Sequence, residues 1–178
     1  SRGLGDVYKR QIPDAGSNDV EQCKELRDKG IDILILDHHI CDRENPYAVI
    51  VNNQNGTYPN KELSGAGVVY KFLQAVDEDN WTNVADRYLD LVAVGNIGDV
   101  MDMHSHETKR LCTKGLARIA NPMICALIEA NSFNIKGDPT IDDVQFYIVP
   151  MMNALIRVGS SEQKTVSYTH LTLPTTER

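Results

Sequence analysis

The stretch that most constrains the fold is residues 31–39, IDILILDHH, in which an apolar run ends in a carboxylate and two imidazoles. The run is short and rich in β-branched residues, which predicts a strand buried on both faces. In an open α/β sheet, ligands lie just beyond the carboxyl ends of the strands. Asp37, His38 and His39 therefore stand where such a fold places its chemistry, and the alternative is a solvated turn.

The segment before this strand predicts a βαβ unit. Residues 19–29 are typical of a helix that Asn18 or Ser17 can cap and that Gly30 ends, and Glu21 lies three residues after Asn18, as in a capping box. Asp14 stands where a preceding strand should end. Because parallel winding brings the ends of both strands to one edge of the sheet, we expect Asp14 to meet the three polar residues after the second strand. On its own, Asp14 is equally consistent with an Asx turn.

A pair of glycines opens the next predicted helix. A strand is expected at 48–52, and Ser64 then precedes Gly65 and Gly67 at the helix start. Backbone N–H groups at a helix N-terminus are a natural place for an anion such as a phosphate. Close packing of the helix on the sheet explains the two glycines equally well, so substrate binding by Gly65 and Gly67 is one of two interpretations.

Further polar candidates lie in the second half of the chain. A helix is predicted over 80–97 with Val84 on its core face, and Asp99 follows its apolar, glycine-containing end in a position that is also typical of a cap or turn. His104 and His106 belong to a polar run that favours an exposed helix entry over a metal site. Asn153 and Arg157 are four residues apart on a predicted helix, which makes them either the edge of a site or a solvated stripe.

Composition narrows the class of protein. The net charge of −7 argues against a generic nucleic-acid coat, for which a basic face is expected. It is compatible with an enzyme that meets phosphates through metal ions, since carboxylates hold such ions. The four cysteines form no C-x-x-C pair, which indicates free thiols in a reducing cytoplasm. No apolar run approaches the ~20 residues of a membrane span, so we expect a cytoplasmic protein without a membrane partner.

The two ends of the chain are expected to be foreign to the gene. Residues 1–11, SRGLGDVYKRQ, and 166–175, VSYTHLTLPT, can be back-translated into the two orientations of a transposase-based sequencing adapter. We therefore expect 1–11 and 166–178 to be adapter-derived and loosely attached. Residues 12–165 would then be the interior of a longer protein and carry the evolved fold.

The motifs together resemble the DHH phosphoesterase superfamily, and within it the RecJ-type single-stranded-DNA exonucleases, including phage-like forms. They are PDAGSND with Asp14, DILILDHH at 32–39, LSGAGVVYKFLQA at 63–75, LVAVGNIGDVMDM at 91–103 and PMMNALIRVG at 150–159. The resemblance covers nearly all of 12–160. It implies an α/β fold in which a parallel sheet is flanked by helices, as a partial DHH domain over 12–130. A helical linker over 131–165 would lead to a second domain that is absent here.

The resemblance also implies a role for each matching residue. In the family, acidic and histidine residues hold two Mn²⁺ or Mg²⁺ ions. Carried over to this chain, Asp14, His38 and Asp99 are metal ligands, and Asp14 bridges the two ions. His39 contacts the scissile phosphate, and Asp37 orients the histidine pair as its hydrogen-bonding partner. Asp37 and His39 are thus the implied catalytic pair.

Two family features are expected to be missing. The first motif, which carries further ligands, lies upstream of Asp14 in the family, where this chain has the expected adapter sequence. The second domain, which helps hold nucleic acid, follows the linker in which Arg157 is a candidate phosphate or DNA contact. We therefore expect the 178-residue chain as written to be inactive and to bind Mn²⁺ weakly.

The implied function is metal-dependent hydrolysis of phosphodiesters, as a 5′-to-3′ exonuclease on single-stranded DNA in repair and recombination, in a bacterium or phage. The alternatives are another DHH enzyme, namely an oligoribonuclease, a cyclic-dinucleotide phosphodiesterase or a manganese pyrophosphatase, or a non-catalytic DHH interaction domain. The shared ligands cannot separate these enzymes, whereas the SGAGVVYKF and NALIRVG stretches favour the exonuclease. Every implied ligand position within 12–165 is occupied, which favours an enzyme.

Overall fold

The computed structural model describes residues 9–165. The chain divides into two compact units, with the boundary between Val84 and Ala85. The predicted adapter residues 1–8 and 166–178 lie outside the described residues. Residues 9–11 form the exposed beginning of the first strand. Their origin stays a prediction, as do the predicted limits of the DHH domain at 12–130 and of the linker at 131–165.

The first unit is built on a parallel sheet of three strands, β1 (Lys9–Pro13), β2 (Asp32–Asp37) and β3 (Val49–Asn52), with β2 in the middle. β2 is buried on both faces, with Ile33 and Ile35 in the core, as its uninterrupted apolar run predicts. The predicted parallel α/β sheet with flanking helices is confirmed.

Helix α1 (Val20–Asp28) connects β1 to β2, as expected for a βαβ unit. The predicted capping box is wrong, because the N-cap residue is Asp19, whose side chain makes no capping hydrogen bond. Asn18 instead donates from Nδ2 to the Ile40 carbonyl at 2.9 Å and accepts from the Asp42 N–H at 2.9 Å. Its amide thus ties the start of α1 to the loop after β2, a contact between residues far apart in sequence.

Helix α2 (Gly65–Asn80) follows β3 after a polar loop and packs on the sheet. The Ser64 side chain accepts a hydrogen bond from the Gly67 N–H at 3.3 Å, which caps the helix. The helix ends at Trp81, whose backbone is left-handed. The predicted helix start after Ser64 is therefore confirmed.

The second unit is helical. Its elements are a 3-10 turn (Ala85–Tyr88), α3 (Leu89–Gly98), α4 (His106–Leu116), α5 (Pro122–Ala130), α6 (Ile141–Asp143), a π-helical segment (Val144–Ile148) and α7 (Val149–Val158). Asn121 caps α5 by accepting from the N–H groups of Met123 and Ile124. No helix within residues 9–165 is long and apolar enough to cross a membrane.

The helix predicted over 80–97 begins later than expected. Residues 81–84 lie outside any helix, and Val84, predicted in the core, is 42% exposed. The buried Asp77 carboxylate explains the difference, since it accepts hydrogen bonds from the Thr82 hydroxyl and from the Val84 N–H. These hydrogen bonds hold residues 82–84 in a non-helical conformation and so compete with helix formation.

A glycine allows α3 and α4 to cross closely. A Cβ atom placed at Gly115 would lie 2.1 Å from the Leu89 carbonyl oxygen and 2.7 Å from the Ala93 Cβ. The nearest atom belongs to helix backbone, so it cannot be displaced by a simple side-chain rotation. The crossing therefore requires glycine at this position.

We expect Gly115→Ala to destabilise the chain by about 1–3 kcal/mol, because overpacking forces the two helices apart. Urea unfolding followed by circular dichroism measures the change. Lys114→Ala, at the exposed neighbouring position, is the control and should stay within about 0.5 kcal/mol of the parent. Equal stability of Gly115→Ala and the parent would show that the helices do not cross as described.

Candidate metal centre

Asp14 comes directly after β1, at the carboxyl edge of the sheet. Its N–H donates to the Leu36 carbonyl at 2.8 Å, and its backbone adopts a left-handed conformation with φ 63°. Among non-glycine residues, aspartate is one of the few that tolerate this region. Asp14 is therefore attached to the end of β2 by its main chain, while its side chain stays 64% exposed.

The first helical turn of α2 packs directly on Asp14. A Cβ atom placed at Gly65 would lie 2.2 Å from Asp14 Oδ1 and 2.7 Å from its Cγ. Gly65 is thus required for the close approach of the helix to the carboxylate. The contact favours the close-packing interpretation of this glycine, and substrate binding by Gly65 and Gly67 stays a prediction.

Asp37 ends β2 and is the hydrogen-bonding centre of the site. Its carboxylate accepts from the N–H groups of Ser17 at 3.2 Å, His38 at 2.8 Å and His39 at 3.2 Å. The Nδ1 atom of the His39 ring lies 2.7 Å from Asp37 Oδ1. One buried carboxylate thereby fixes the turn that carries both histidines.

The environment of Asp37 favours its charged form. Burial raises the pKa of the carboxyl, but hydrogen bonds from the side chains and backbones of His39 and Ser17 outweigh burial and lower the pKa to about 2. Asp37 is therefore ionised at neutral pH and acts only as an acceptor. The hydrogen of the His39–Asp37 bond must then reside on Nδ1, so the electron pair of a neutral His39 ring lies on Nε2.

We expect Asp37→Asn to lower the free energy of unfolding by about 2 kcal/mol at neutral pH. This is the free energy that corresponds to the fall in the pKa of Asp37 from 3.8 to about 2 on folding. Because the folded-state pKa lies below the ordinary value of 3.8, the contribution is complete above that value and is lost as pH falls toward about 2. Urea unfolding of both proteins at a series of pH values, without metal, tests this. The exposed Asp42→Asn is the control. A gap between parent and Asp37→Asn that persists unchanged in acid would contradict the assignment.

The two histidines meet Asp14 at the edge of the sheet. His38 Nε2 lies 3.2 Å from Asp14 Oδ1, and the His38 side chain is 10% exposed. Asp14, His38 and His39 each offer one ligand atom, and these atoms all lie within 4.8 Å of one another. The predicted convergence of Asp14 with the Asp-His-His turn is confirmed.

The donor set fits the metal that the sequence predicts. It consists of carboxylate oxygen and imidazole nitrogen, without thiolate, which suits Mn²⁺ or Mg²⁺ better than a structural zinc ion. The spread of ligand atoms is small enough for one ion to contact all three. The individual roles of Asp14, His38 and His39 stay predictions, but the geometry is compatible with each of them.

The remaining predicted residues belong to the second unit. Asp99 follows α3, where its N–H donates to the Gly95 carbonyl at 3.0 Å, and Arg157 is exposed in the last turn of α7. Their roles as metal ligand and DNA contact stay predictions. The His104 side chain is 98% exposed beside Asp102, and His106 begins α4. Within residues 9–165, neither histidine joins a group of three metal-competent side chains.

Ser17 and Asn52 belong to the surroundings of the site but were not predicted there. The sequence pattern indicates Ser17 only as a possible helix cap and Asn52 only as the end of a strand. The signal was present for Asn52, because the last residue of the third parallel strand must lie at the same edge as Asp37, its partner in register.

The chain matches one protein-family model and several named relatives. The model of the DHH family, N-terminal domain, matches residues 11–96. Over 154 residues the chain is 46% identical to a putative SPbeta prophage-derived single-strand DNA-specific exonuclease, YorK, of Bacillus subtilis strain 168, covering 86% of this chain and 27% of that protein. It is 32% identical to the single-stranded-DNA-specific exonuclease RecJ of the same strain, covering 84% of this chain and 19% of that protein.

Solved structures show the same fold. A crystal structure of exonuclease RecJ bound to manganese matches with a TM-score of 0.75 and 28% identity, over 86% of this chain and 40% of that one. RecJ from Thermus thermophilus in complex with Mn²⁺ matches with a TM-score of 0.79 and 27% identity, over 93% of this chain and 25% of that one. The chain thus spans about a quarter of the length of the curated relatives it matches. It belongs to the DHH superfamily, among relatives of the RecJ type.

Proposed function

We propose that this chain contributes part of a two-metal phosphodiesterase site, and that the complete protein degrades single-stranded DNA from its 5′ end with Mn²⁺ or Mg²⁺. The observation that carries the proposal is the convergence of Asp14, His38 and His39 at the carboxyl edge of the sheet. The relatives are named single-strand DNA-specific exonucleases, and two RecJ structures contain manganese, which supports the proposed substrate and metal.

We assign a proposed role to each site residue from its hydrogen bonds. A bound divalent metal supplies Lewis-acid activation of a phosphate oxygen and of a water molecule. Asp14 and His38 are its proposed ligands in the first unit, and Asp99 is proposed as a further ligand. The ionised Asp37 accepts the Nδ1–H of His39 and so orients the ring, whose Nε2 would donate a hydrogen bond to the scissile phosphate when it also carries a proton. Asp37 therefore acts through the orientation of His39.

The proposed biological setting is DNA repair and recombination in the cytoplasm of a bacterium, or of a bacterium that carries a phage. The relatives come from bacteria and from a Bacillus phage, which supports this setting. The acidic chain is compatible with a DNA substrate, because bound metal ions meet the phosphates and Arg157 is a proposed additional contact. Protein partners are not assigned.

The proposal is tested with the complete protein and Mn²⁺ on three substrates: single-stranded DNA, dinucleotides and pyrophosphate. With 5′-labelled DNA we expect the label to appear first as a mononucleotide, whereas 3′-labelled DNA should shorten progressively before its label is released. Double-stranded DNA of the same sequence is the control and should stay intact. Hydrolysis of dinucleotides or pyrophosphate without digestion of DNA would reject the exonuclease in favour of another DHH activity.

The 178-residue chain itself is expected to show no nuclease activity above background and to bind Mn²⁺ weakly. The physical reason is that three ligand atoms in the first unit cannot complete the coordination of two ions, each of which prefers about six ligands. Calorimetric titration with Mn²⁺, together with the DNA assay, measures both properties. Robust manganese-dependent digestion by the purified chain would contradict this expectation.

A further inference from the structure

The side chain of Asn52 connects the three loops that follow the strands of the sheet. Asn52 is the last residue of β3, is buried, and pairs in register with Asp37. Its Nδ2 atom lies 2.9 Å from the His39 carbonyl oxygen and 3.1 Å from Ser17 Oγ. The thiol of Cys41 is a third neighbour of the same nitrogen, at 3.2 Å. An amide nitrogen carries two hydrogens, and the two oxygens are its nearest acceptors.

The orientation of this amide is decided by its other end. Asn52 Oδ1 accepts a hydrogen bond from the Gln54 N–H at 2.7 Å. A backbone N–H can only donate, so the oxygen must face Gln54 and the NH₂ group must face Ser17 and His39. The amide is therefore in the one orientation in which all its hydrogens point to acceptors.

Ser17 extends the connection from Asn52 to the buried carboxylate. Ser17 is 1% exposed, its N–H donates to Asp37 Oδ2 at 3.2 Å, and its hydroxyl also bonds Asp37. The hydroxyl can accept from Asn52 while it donates to the carboxylate. Asn52, Ser17, Asp37 and His39 thus form a closed hydrogen-bond network, because Asn52 holds the His39 carbonyl and Asp37 holds the His39 ring.

We propose that Asn52 is a positioning residue for the metal centre, which acts by fixing the main chain of His39 and, through Ser17, the carboxylate of Asp37. The proposal rests on the proposed function of the site. The His39 side chain is 60% exposed, so water competes with Asp37 for its Nδ1–H. Anchoring the His39 carbonyl keeps the ring within reach of Asp37 and thereby maintains the Nδ1–H tautomer.

Loss of the Asn52 amide should therefore change the chemistry of the site and not only its stability. With the His39 carbonyl released, the Asp37–His39 bond weakens and the Nε2–H tautomer, which histidine favours in water, gains population. The same turn carries His38, so its movement should also weaken the binding of Mn²⁺. Loss of hydrogen-bonding partners behind metal ligands generally lowers metal affinity by about 10–100-fold.

A purely structural role for Asn52 makes a different prediction, and Asn53 provides the matched control. Asn53 is the next residue, is 5% exposed against 8% for Asn52, and donates from Nδ2 to the Asn60 carbonyl at 3.2 Å within the same loop. Among residues 9–165, its hydrogen-bonding partners are Asn60 and Lys61, and neither Ser17 nor His39 is one of them. Its replacement should loosen the loop after β3 without releasing His39.

The experiment compares Asn52→Asp, Asn52→Ala and Asn53→Ala with the parent chain. Asn52→Asp keeps the shape of the side chain and the acceptor for Gln54 but removes both donors. In the metal-free proteins, at a pH well above the ordinary pKa of histidine, long-range ¹H–¹⁵N spectra report the tautomer of each ring, and His39→Gln assigns the signal. Binding of Mn²⁺ alone is followed by the electron paramagnetic resonance of the free ion.

We expect both Asn52 variants to shift the His39 ring nitrogens toward the Nε2–H tautomer and to bind Mn²⁺ about tenfold more weakly or worse. Asn53→Ala should match the parent in both measurements while losing comparable stability to urea. Unchanged ring nitrogens in the Asn52 variants, or equal changes in Asn53→Ala, would overturn the proposal. If the Asn52 variants do not fold, Ser17→Ala decides by the same criteria.

The two readouts separate this inference from the proposed function. The ring-nitrogen spectra require neither metal nor nuclease activity. If the complete protein binds no Mn²⁺, the proposed metal centre fails, while the tautomer of His39 in the metal-free chain still decides whether Asn52 positions the ring.

Discussion

Replacement of His38 by alanine in the complete protein is expected to lower nuclease activity by about 1,000-fold or more. A bound metal would contribute several kcal/mol of charge stabilisation, and each 1.4 kcal/mol corresponds to about a factor of ten in rate. His38 is the largely buried member of the group, with Nε2 3.2 Å from Asp14 Oδ1. Alanine removes its nitrogen donor and leaves Asp14 without the adjacent ligand.

The measurement is kcat/KM on single-stranded DNA with Mn²⁺, together with Mn²⁺ affinity. His104→Ala is the control, because His104, like His39, has its Nδ1 atom 2.7 Å from an aspartate two residues before it but is almost fully exposed. We expect the control to retain the activity of the parent. Activity of His38→Ala near that of the parent would reject the site, and an equal loss in His104→Ala would revive the alternative that His104 binds metal.

Replacement of Gly65 by alanine is expected to lower activity by about 100-fold, although glycine has no side chain that can act in catalysis. The added methyl group would lie 2.2 Å from Asp14 Oδ1, so the carboxylate must move or α2 must retreat from the sheet. A displacement of about 1 Å in a catalytic constellation can cost a factor of about 100 in rate. Because Asp14 is 64% exposed, its side chain can move away, and we expect a loss of stability of no more than about 1–2 kcal/mol.

Gly115→Ala provides the contrast for this experiment. It introduces an equally short contact, but against the backbone of α3 in the second unit. We expect Gly115→Ala to affect mainly the urea midpoint and Gly65→Ala to affect mainly Mn²⁺ affinity and kcat. If Gly65→Ala retains parental Mn²⁺ affinity, α2 does not contact Asp14 as described, whatever the change in stability.

The architecture around the site follows from local patterns and general rules of chain winding. The apolar run within 31–36 predicts a buried strand, and the structure contains it as β2. Parallel winding through α1 then brings Asp14 to the same edge as His38. The first inference depends on the pattern of apolar residues and the second on the handedness of parallel strand connections. Both are properties of segments that are close in the sequence.

Predictions about helix ends were less successful where a distant group competes for a capping residue. Asn18 was expected to cap α1, but its amide bonds the backbone of residues 40 and 42 instead. The turn before α3 depends on Asp77, which bonds Val84 from seven residues away. A polar side chain tends to bond a buried backbone group that water cannot reach. Which group that is depends on how distant segments of the folded chain come together.

The sequence by itself determined which strands form and that Asp14, Asp37, His38 and His39 would gather at one edge, because strand periodicity and parallel winding are properties of neighbouring segments. Only the tertiary structure decided how that edge is supported. Gly65 must be glycine because Asp14 packs against it, and Asn52 joins the network by bonding Ser17 across 35 residues of sequence. Such contacts depend on distances of a few ångströms between elements, which residue patterns along one chain do not specify.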